Sequence, residues 1–132
     1  MTSRQVISPN ARQALYKDHS YSPAIRAGDL LFVSGQVGSL EDGSPEPHFA
    51  KQVQLAFDNL VAVLAAAGCT LDDVVDVTTF HTDLKAQFEA VQPIRINAFG
   101  NGPLPNWTAV GVTFLSGFDF EIKVIARIPG SN

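Results

Sequence analysis

The segment from Phe118 to Ile128 constrains this chain most. Phe120, Ile122, Val124, Ala126 and Ile128 fall on one parity, and Glu121, Lys123, Ile125 and Arg127 on the other. That is the two-residue repeat of a strand whose faces meet different surroundings. One face is wholly apolar and must be covered; the other is mixed. The cover comes from Phe49 to Ala67, where Phe49, Val53, Ala56, Phe57, Leu60, Val61 and Leu64 recur at three- and four-residue intervals with Lys51, Gln54 and Asp58 between them. This is an amphipathic helix. Pro45 and Pro47 in the turn-rich stretch 41–47 forbid a regular helix before about His48, and Gly68 supplies the left-handed residue that closes it.

The remaining elements follow from shorter signals. The apolar run Asp29–Ser34 between Gly28 and Gly35 reads as a buried strand, with Ala24-Ile25-Arg26 as its hairpin partner. The β-branched run Val74–His81 reads as another strand. Asp83 caps a second helical segment carrying Leu84, Phe88 and Val91, in which Pro93 predicts a kink or a restart before Ile94 and Phe99. After the breaker cluster 100–105, the runs Trp107–Phe114 and Phe118–Ile128 are expected to form an antiparallel pair across Leu115-Ser116-Gly117. The order is hairpin, helix, strand, helix and two strands, an α+β sandwich with helices on one side of a mixed sheet. No repeat or linker divides the chain, so residues 1–132 form one domain. Thr79, Val110, Val112 and Ile125 are expected on the uncovered sheet face, and their apolar character predicts self-association.

Composition narrows the function. Nine Lys plus Arg against 13 Asp plus Glu give a net charge of −4, the wrong field for a chain that must neutralise many phosphates, so no nucleic-acid partner is expected. No stretch reaches the roughly 20 apolar residues of a membrane span, and Met1-Thr2-Ser3-Arg4-Gln5 leads into polar sequence rather than a signal-peptide core. A soluble, cytoplasmic protein without a membrane partner is expected. Cys69 is the single cysteine, read as a small apolar residue after the helix; it allows neither an internal disulfide nor a thiolate metal cluster within one chain.

Few residues invite chemistry. Glu121 lies between Phe120 and Ile122, where desolvation raises a carboxyl's pKa toward general-base use. Lys123 and Arg127 share its strand face, as neutralising partners or as anion ligands. His81, at a strand end, is read as a structural histidine. Ser34 lies in no Gly-x-Ser-x-Gly context, so a nucleophilic role is not expected of it.

Taken together, Tyr21-Ser22-Pro23-Ala24-Ile25-Arg26, the segment Gly28–Val37 with its Ser34-Gly35-Gln36, Gln54–Leu60 with Ala56-Phe57-Asp58-Asn59-Leu60, Asp72–Phe80 and Glu121–Arg127 resemble the RidA (YjgF-like) family, most closely its YjgH subgroup. The resemblance implies a chorismate-mutase-like fold, a mixed β-sheet with two helices packed on one face. It also implies a homotrimer whose inner sheet faces form a barrel, with small-molecule sites at the subunit interfaces. The activity implied is hydrolysis of an enamine, imine or related C=N compound to a carbonyl compound and ammonia, without metal or organic cofactor. Carried over by position, Glu121 is the catalytic residue that holds or activates water, and Tyr21, Ser34, Gln92, Trp107 and Ala109 line the cleft. Trp107 departs from the family, whose deaminases carry there an Arg that grips the substrate carboxylate with a two-pronged hydrogen bond, which an indole with one donor cannot reproduce. Ala109 likewise replaces a frequent Cys. Trp107 would instead present a flat apolar wall, and Arg26 and Arg95 are candidate replacement anchors. The alternative function is a non-catalytic small-molecule-binding or interaction protein.

Overall fold

The structure, a computed structural model, describes residues 4–9, 12–100 and 102–130. Met1 to Ser3 of the polar N-terminal stretch and Asn101 of the breaker cluster lie outside them. The elements are β1 (Gln5–Ile7), α1 (Gln13–Asp18), β2 (Ala24–Ala27), β3 (Leu30–Val37), α2 (Phe49–Ala66), β4 (Val74–His81), α3 (Leu84–Phe99), β5 (Asn106–Gly111) and β6 (Phe120–Arg127), with a 3₁₀ turn at Leu71–Asp73. The strands form one six-stranded sheet in the order β1-β2-β3-β6-β4-β5. Among the described residues the β4–β5 pairing is parallel and the other pairings are antiparallel.

Local chemistry accounts for the element ends. Ala27 pairs with Leu30 across a two-residue turn in which Gly28 takes a positive φ of 64°, a conformation that costs glycine little. His48 Nδ1 accepts the Lys51 N–H at the start of α2. Thr70 and Asp73 exchange reciprocal capping bonds around the 3₁₀ turn that delivers the chain to β4. Asp83 Oδ1 accepts the Ala86 N–H at the start of α3.

The core lies between the sheet and α2 with α3. Leu31 and Val33 of β3 and Ile122, Val124 and Ala126 of β6 meet Val53, Phe57, Leu60 and Leu64 of α2, all buried. Phe57 stacks on Phe120 at 6.1 Å and meets Phe99 of α3 edge-on at 6.0 Å. Burying a large apolar side chain contributes on the order of 1.5–3 kcal/mol, so this layer supplies most of what holds the sheet to its helices. Cys69 is buried in the same cluster, and burial raises its thiol pKa.

Three expectations are corrected. β5 and β6 are not a hairpin: β6 inserts between β3 and β4, and β5 returns beside β4 through α3 as a parallel edge strand. Pro93 does not restart α3, which runs as one helix over Leu84–Phe99 with the proline inside it. Pro93 and Glu89, whose carbonyl loses its N–H partner, are both exposed, so water can take that carbonyl. Thr79 is buried rather than on the open face, because it shares the parity of Val77 and pairs with Ile122. β1 and α1 are additional short elements.

Candidate functional site

Glu121 stands on the β6 face opposite to Ile122, flanked in register by Val37 of β3 and Phe80 of β4. Between Val33 and Gln36 the β3–β6 register shifts, a bulge of the kind that re-aims side chains beside sites. The bulge places Gly35 against the Glu121 side chain. A Cβ built on Gly35 would overlap the carboxylate and lie 3.0 Å from Glu121 Cγ, so the acid occupies space that only glycine leaves open. The carboxyl accepts no hydrogen bond from the described residues. Burial pushes its pKa up, partly offset by the positive charge of Lys123.

The acid borders a cavity of about 490 Å³ between α1, the end of β3 and the loop leading into β6. Tyr21, 51% exposed, lies at its edge. Its phenol pKa is raised by burial of the hydroxyl, then by Tyr16 and by the Glu121 charge. Tyr21 meets Tyr16 edge-on at 5.2 Å. Tyr16 is in turn fixed by Gln36, whose Nε2 donates to the Tyr16 hydroxyl at 3.0 Å and to Ser34 O at 3.1 Å. Ser34 contributes indirectly: its hydroxyl donates to Ser22 O at 2.7 Å and its N–H to Pro23 O at 2.9 Å, tying down the loop that carries Tyr21. Phe114, 73% exposed, and Leu115 and Phe118 make an apolar wall.

The other positions gather elsewhere in the chain. Trp107 and Ala109 pair with Val77 and Thr79 and therefore face the helices, on the side of the sheet away from Glu121. The Trp107 ring stacks on Phe88 at 5.8 Å and carries the Arg95 guanidinium 3.9 Å from its centroid. Phe88 and Arg95 are seven residues apart on α3, about 10.5 Å along the helix axis, a gap that matches an indole held between them. Its Nε1–H donates to Thr79 Oγ1 at 2.9 Å. Gln92 Oε1 accepts from Arg95 Nε at 2.9 Å. Within one chain Trp107 is thus not a bare wall; both its ring and its donor are engaged.

Thr79 Oγ1 also bonds His81 Nε2 at 2.8 Å, while His81 Nδ1 is buried without a partner among the described residues. Burial lowers the His81 pKa, so the ring is neutral and structural, packed edge-on against Phe120 at 5.4 Å. Of the remaining cations, Arg127 pairs with Asp29 at 3.4 Å on the surface, and Arg26 Nε donates to Gly28 O at the β2–β3 turn. Arg12, Tyr16 and His19 line the Glu121 cavity and were not among the sequence candidates; residues 10–20 carry no periodicity or motif that marks them. No group of three or more potential metal ligands occurs among the described residues, and no helix among them is long and apolar enough to cross a membrane.

Comparison with known proteins places this geometry in a family. The family model described as Endoribonuclease L-PSP matches residues 11–128. The RutC family protein YjgH of Escherichia coli (strain K12) is 65% identical over 129 residues, covering 98% of each chain. A solved structure titled as protein YJGH superposes with a TM-score of 0.91 at 66% identity, covering 96% of this chain and 97% of that one. A Dermatophagoides farinae protein named 2-iminobutanoate/2-iminopropanoate deaminase is 30% identical over 118 residues, covering 87% of this chain and 88% of its own. With a shared α+β fold over nearly its whole length, the chain belongs to the RidA (YjgF-like) family, in its YjgH-like branch.

Proposed function

We propose that the chain is a small-molecule hydrolase acting on an enamine, imine or related C=N compound, with Glu121 as its water-handling residue. The observation that carries this reading is a carboxyl of raised pKa, free of protein hydrogen bonds among the described residues, at a cavity of about 490 Å³. The deaminase name of the mite relative agrees with it. A carboxyl whose pKa burial raises above the ordinary carboxylate range is better suited to general acid–base work than a solvated one. Water held by Glu121 adds to the C=N carbon while its proton passes through the carboxyl to nitrogen. Glu121 then relays the carbinolamine's hydroxyl proton to the amino nitrogen, the C–N bond breaks, and ammonia leaves a carbonyl compound with the carboxyl regenerated. Neither electrons nor a cofactor are consumed. Tyr21 closes the cavity edge, and Ser34 holds the Tyr21 loop.

We further propose a homotrimer in which a neighbouring copy completes each cleft, bringing its own Gln92, Trp107 and Ala109 toward Glu121. Supporting this are the solvent-facing Phe32 (39%) and Val110 (37%) on the sheet and the edge position of β5, an apolar surface suited to self-association. A particle of three times the 14.2 kDa chain mass in light scattering is expected.

The deciding experiment measures ammonia and keto-acid release from freshly generated aliphatic and aromatic imino acids, with Glu121→Ala alongside. Turnover lost in a folded Glu121→Ala protein supports the reading; full activity in that variant overturns it. One observation favours the second reading, a non-catalytic binding protein: the β5 position where family deaminases carry arginine holds Trp107, whose single donor is engaged by Thr79. That reading predicts saturable binding with the ligand recovered chemically unchanged.

A further inference from the structure

The Glu121 cavity contains a second formal charge that the proposed hydrolysis leaves unused. Arg12 precedes α1 in the left-handed backbone region, with φ 69°. Its guanidinium is clamped on one neutral residue: Nη1 donates to Ser39 Oγ at 2.6 Å and Nη2 to Ser39 O at 2.8 Å. Two of five N–H donors are thereby engaged. No carboxylate among the described residues lies within ion-pair distance of it; the ion pair found there joins Arg127 to Asp29. A part-buried guanidinium held only by neutral acceptors keeps its whole charge and three donors for another partner.

The cavity around it defines that partner. Leu15, Phe114 and Phe118 supply apolar walls, and about 490 Å³ accommodates a compact small molecule. A guanidinium fork matches a carboxylate in geometry. A phosphate dianion fits less well, since one cation would face two negative charges beside the Glu121 acid. Within one chain neither arginine singled out in the sequence competes here: Arg95 lies over Trp107 on the helix side, and Arg26 lies at the β2–β3 turn.

We infer that Arg12 is the anion anchor of this cavity, and that its ligand is a monocarboxylate whose apolar body packs on Leu15, Phe114 and Phe118. The inference rests on the reading of the Glu121 cavity as the ligand site, but not on any turnover there.

The test is calorimetric titration of the full chain with phenylacetate and with phenylacetamide, which share a body and differ in charge. The unaltered protein is expected to prefer phenylacetate. Arg12→Gln should weaken phenylacetate by about 10- to 100-fold, the usual loss of a charge-assisted partner, and change phenylacetamide less than about threefold. Arg12→Lys should retain part of the preference, and Arg95→Gln should change neither. The inference is overturned if the unaltered protein fails to bind phenylacetate saturably or does not prefer it. It is equally overturned if Arg12→Gln leaves phenylacetate unchanged, if it weakens both ligands alike, as a disturbed α1 would, or if Arg95→Gln alone removes the preference. A protein that binds phenylacetate through Arg12 yet hydrolyses no imine refutes the hydrolase and leaves this anchor standing.

Discussion

Two glycines three residues apart in the β3 region are expected to respond to alanine in opposite ways. At Gly35 the new Cβ meets the far end of the Glu121 side chain, which has three torsions with which to move away. Neither glycine has a positive φ, so backbone strain does not enter. Gly35→Ala should therefore cost about 1 kcal/mol or less. It should nevertheless expel the carboxyl from its place, and misplacement by about 1 Å is enough to lower turnover roughly 100-fold. At Gly38 the Cβ would overlap the Gln52 backbone carbonyl and lie 2.7 Å from Gln52 C. Gln52 belongs to α2, whose main chain cannot swing aside, so Gly38→Ala should cost on the order of 3 kcal/mol, about a 10 °C fall in Tm. Urea denaturation reads the stabilities, and carbon-detected titration of the Glu121 carboxyl reads its surroundings. In Gly35→Ala the carboxyl should titrate nearer the ordinary range. Unchanged titration and undiminished imine hydrolysis in Gly35→Ala, or a Gly38→Ala protein as stable as the parent, would refute the reasoning.

Two further outcomes follow from buried polar groups. Because burial raises the Glu121 pKa, the folded state keeps a proton that the unfolded chain releases above about 4.3, and stability falls as pH rises through that interval. Glu121→Gln should thus melt higher than the parent at pH 8, with the gap narrowing below pH 4; a gap independent of pH speaks against a buried carboxyl. Thr79→Val removes the shared partner of Trp107 Nε1 and His81 Nε2 and should cost roughly 2–6 kcal/mol at about 1–3 kcal/mol per orphaned group. Thr79→Ser should stay within about 1.5 kcal/mol. Equal losses in the two variants would show that packing, not the hydroxyl, matters there.

The legible part of the fold was the part written in local periodicity. The repeat in Phe49–Ala67 and the alternation in Phe120–Ile128 correspond to α2 and β6, and the caps at Gly68 and Asp83 lie where the chain turns. The pairing of β5 was not legible. A Leu-Ser-Gly turn between two extended runs looks the same whether the strands pair with each other or with third strands, and only the competition for the β3 and β4 edges decides it. Thr79 was misplaced because Val74–His81 carries β-branched residues on both parities and so does not mark its covered face, whereas its bonds with Trp107 and His81 hold the hydroxyl inside. For the site, Glu121 and Tyr21 were found as cavity residues. Arg12, Tyr16 and His19 arrive at the cavity through the path of a six-residue helix, which no spacing encodes.

The position of β6 also governs how the chain can be made. It follows every other strand in sequence yet separates β3 from β4 in space, so β1-β2-β3 and β4-β5 share no ladder until Phe120–Arg127 arrives. A nascent chain that has emerged only through β5 leaves open the β3 and β4 edges that β6 later fills, each a template for pairing with other chains. Sheet closure must wait until residue 127 has left the ribosome, and the pairings it then forms bring together residues far apart in sequence, which slows folding. Aggregation risk is therefore greatest just before Phe120–Arg127 emerges, and a pause between residues 111 and 120 prolongs it.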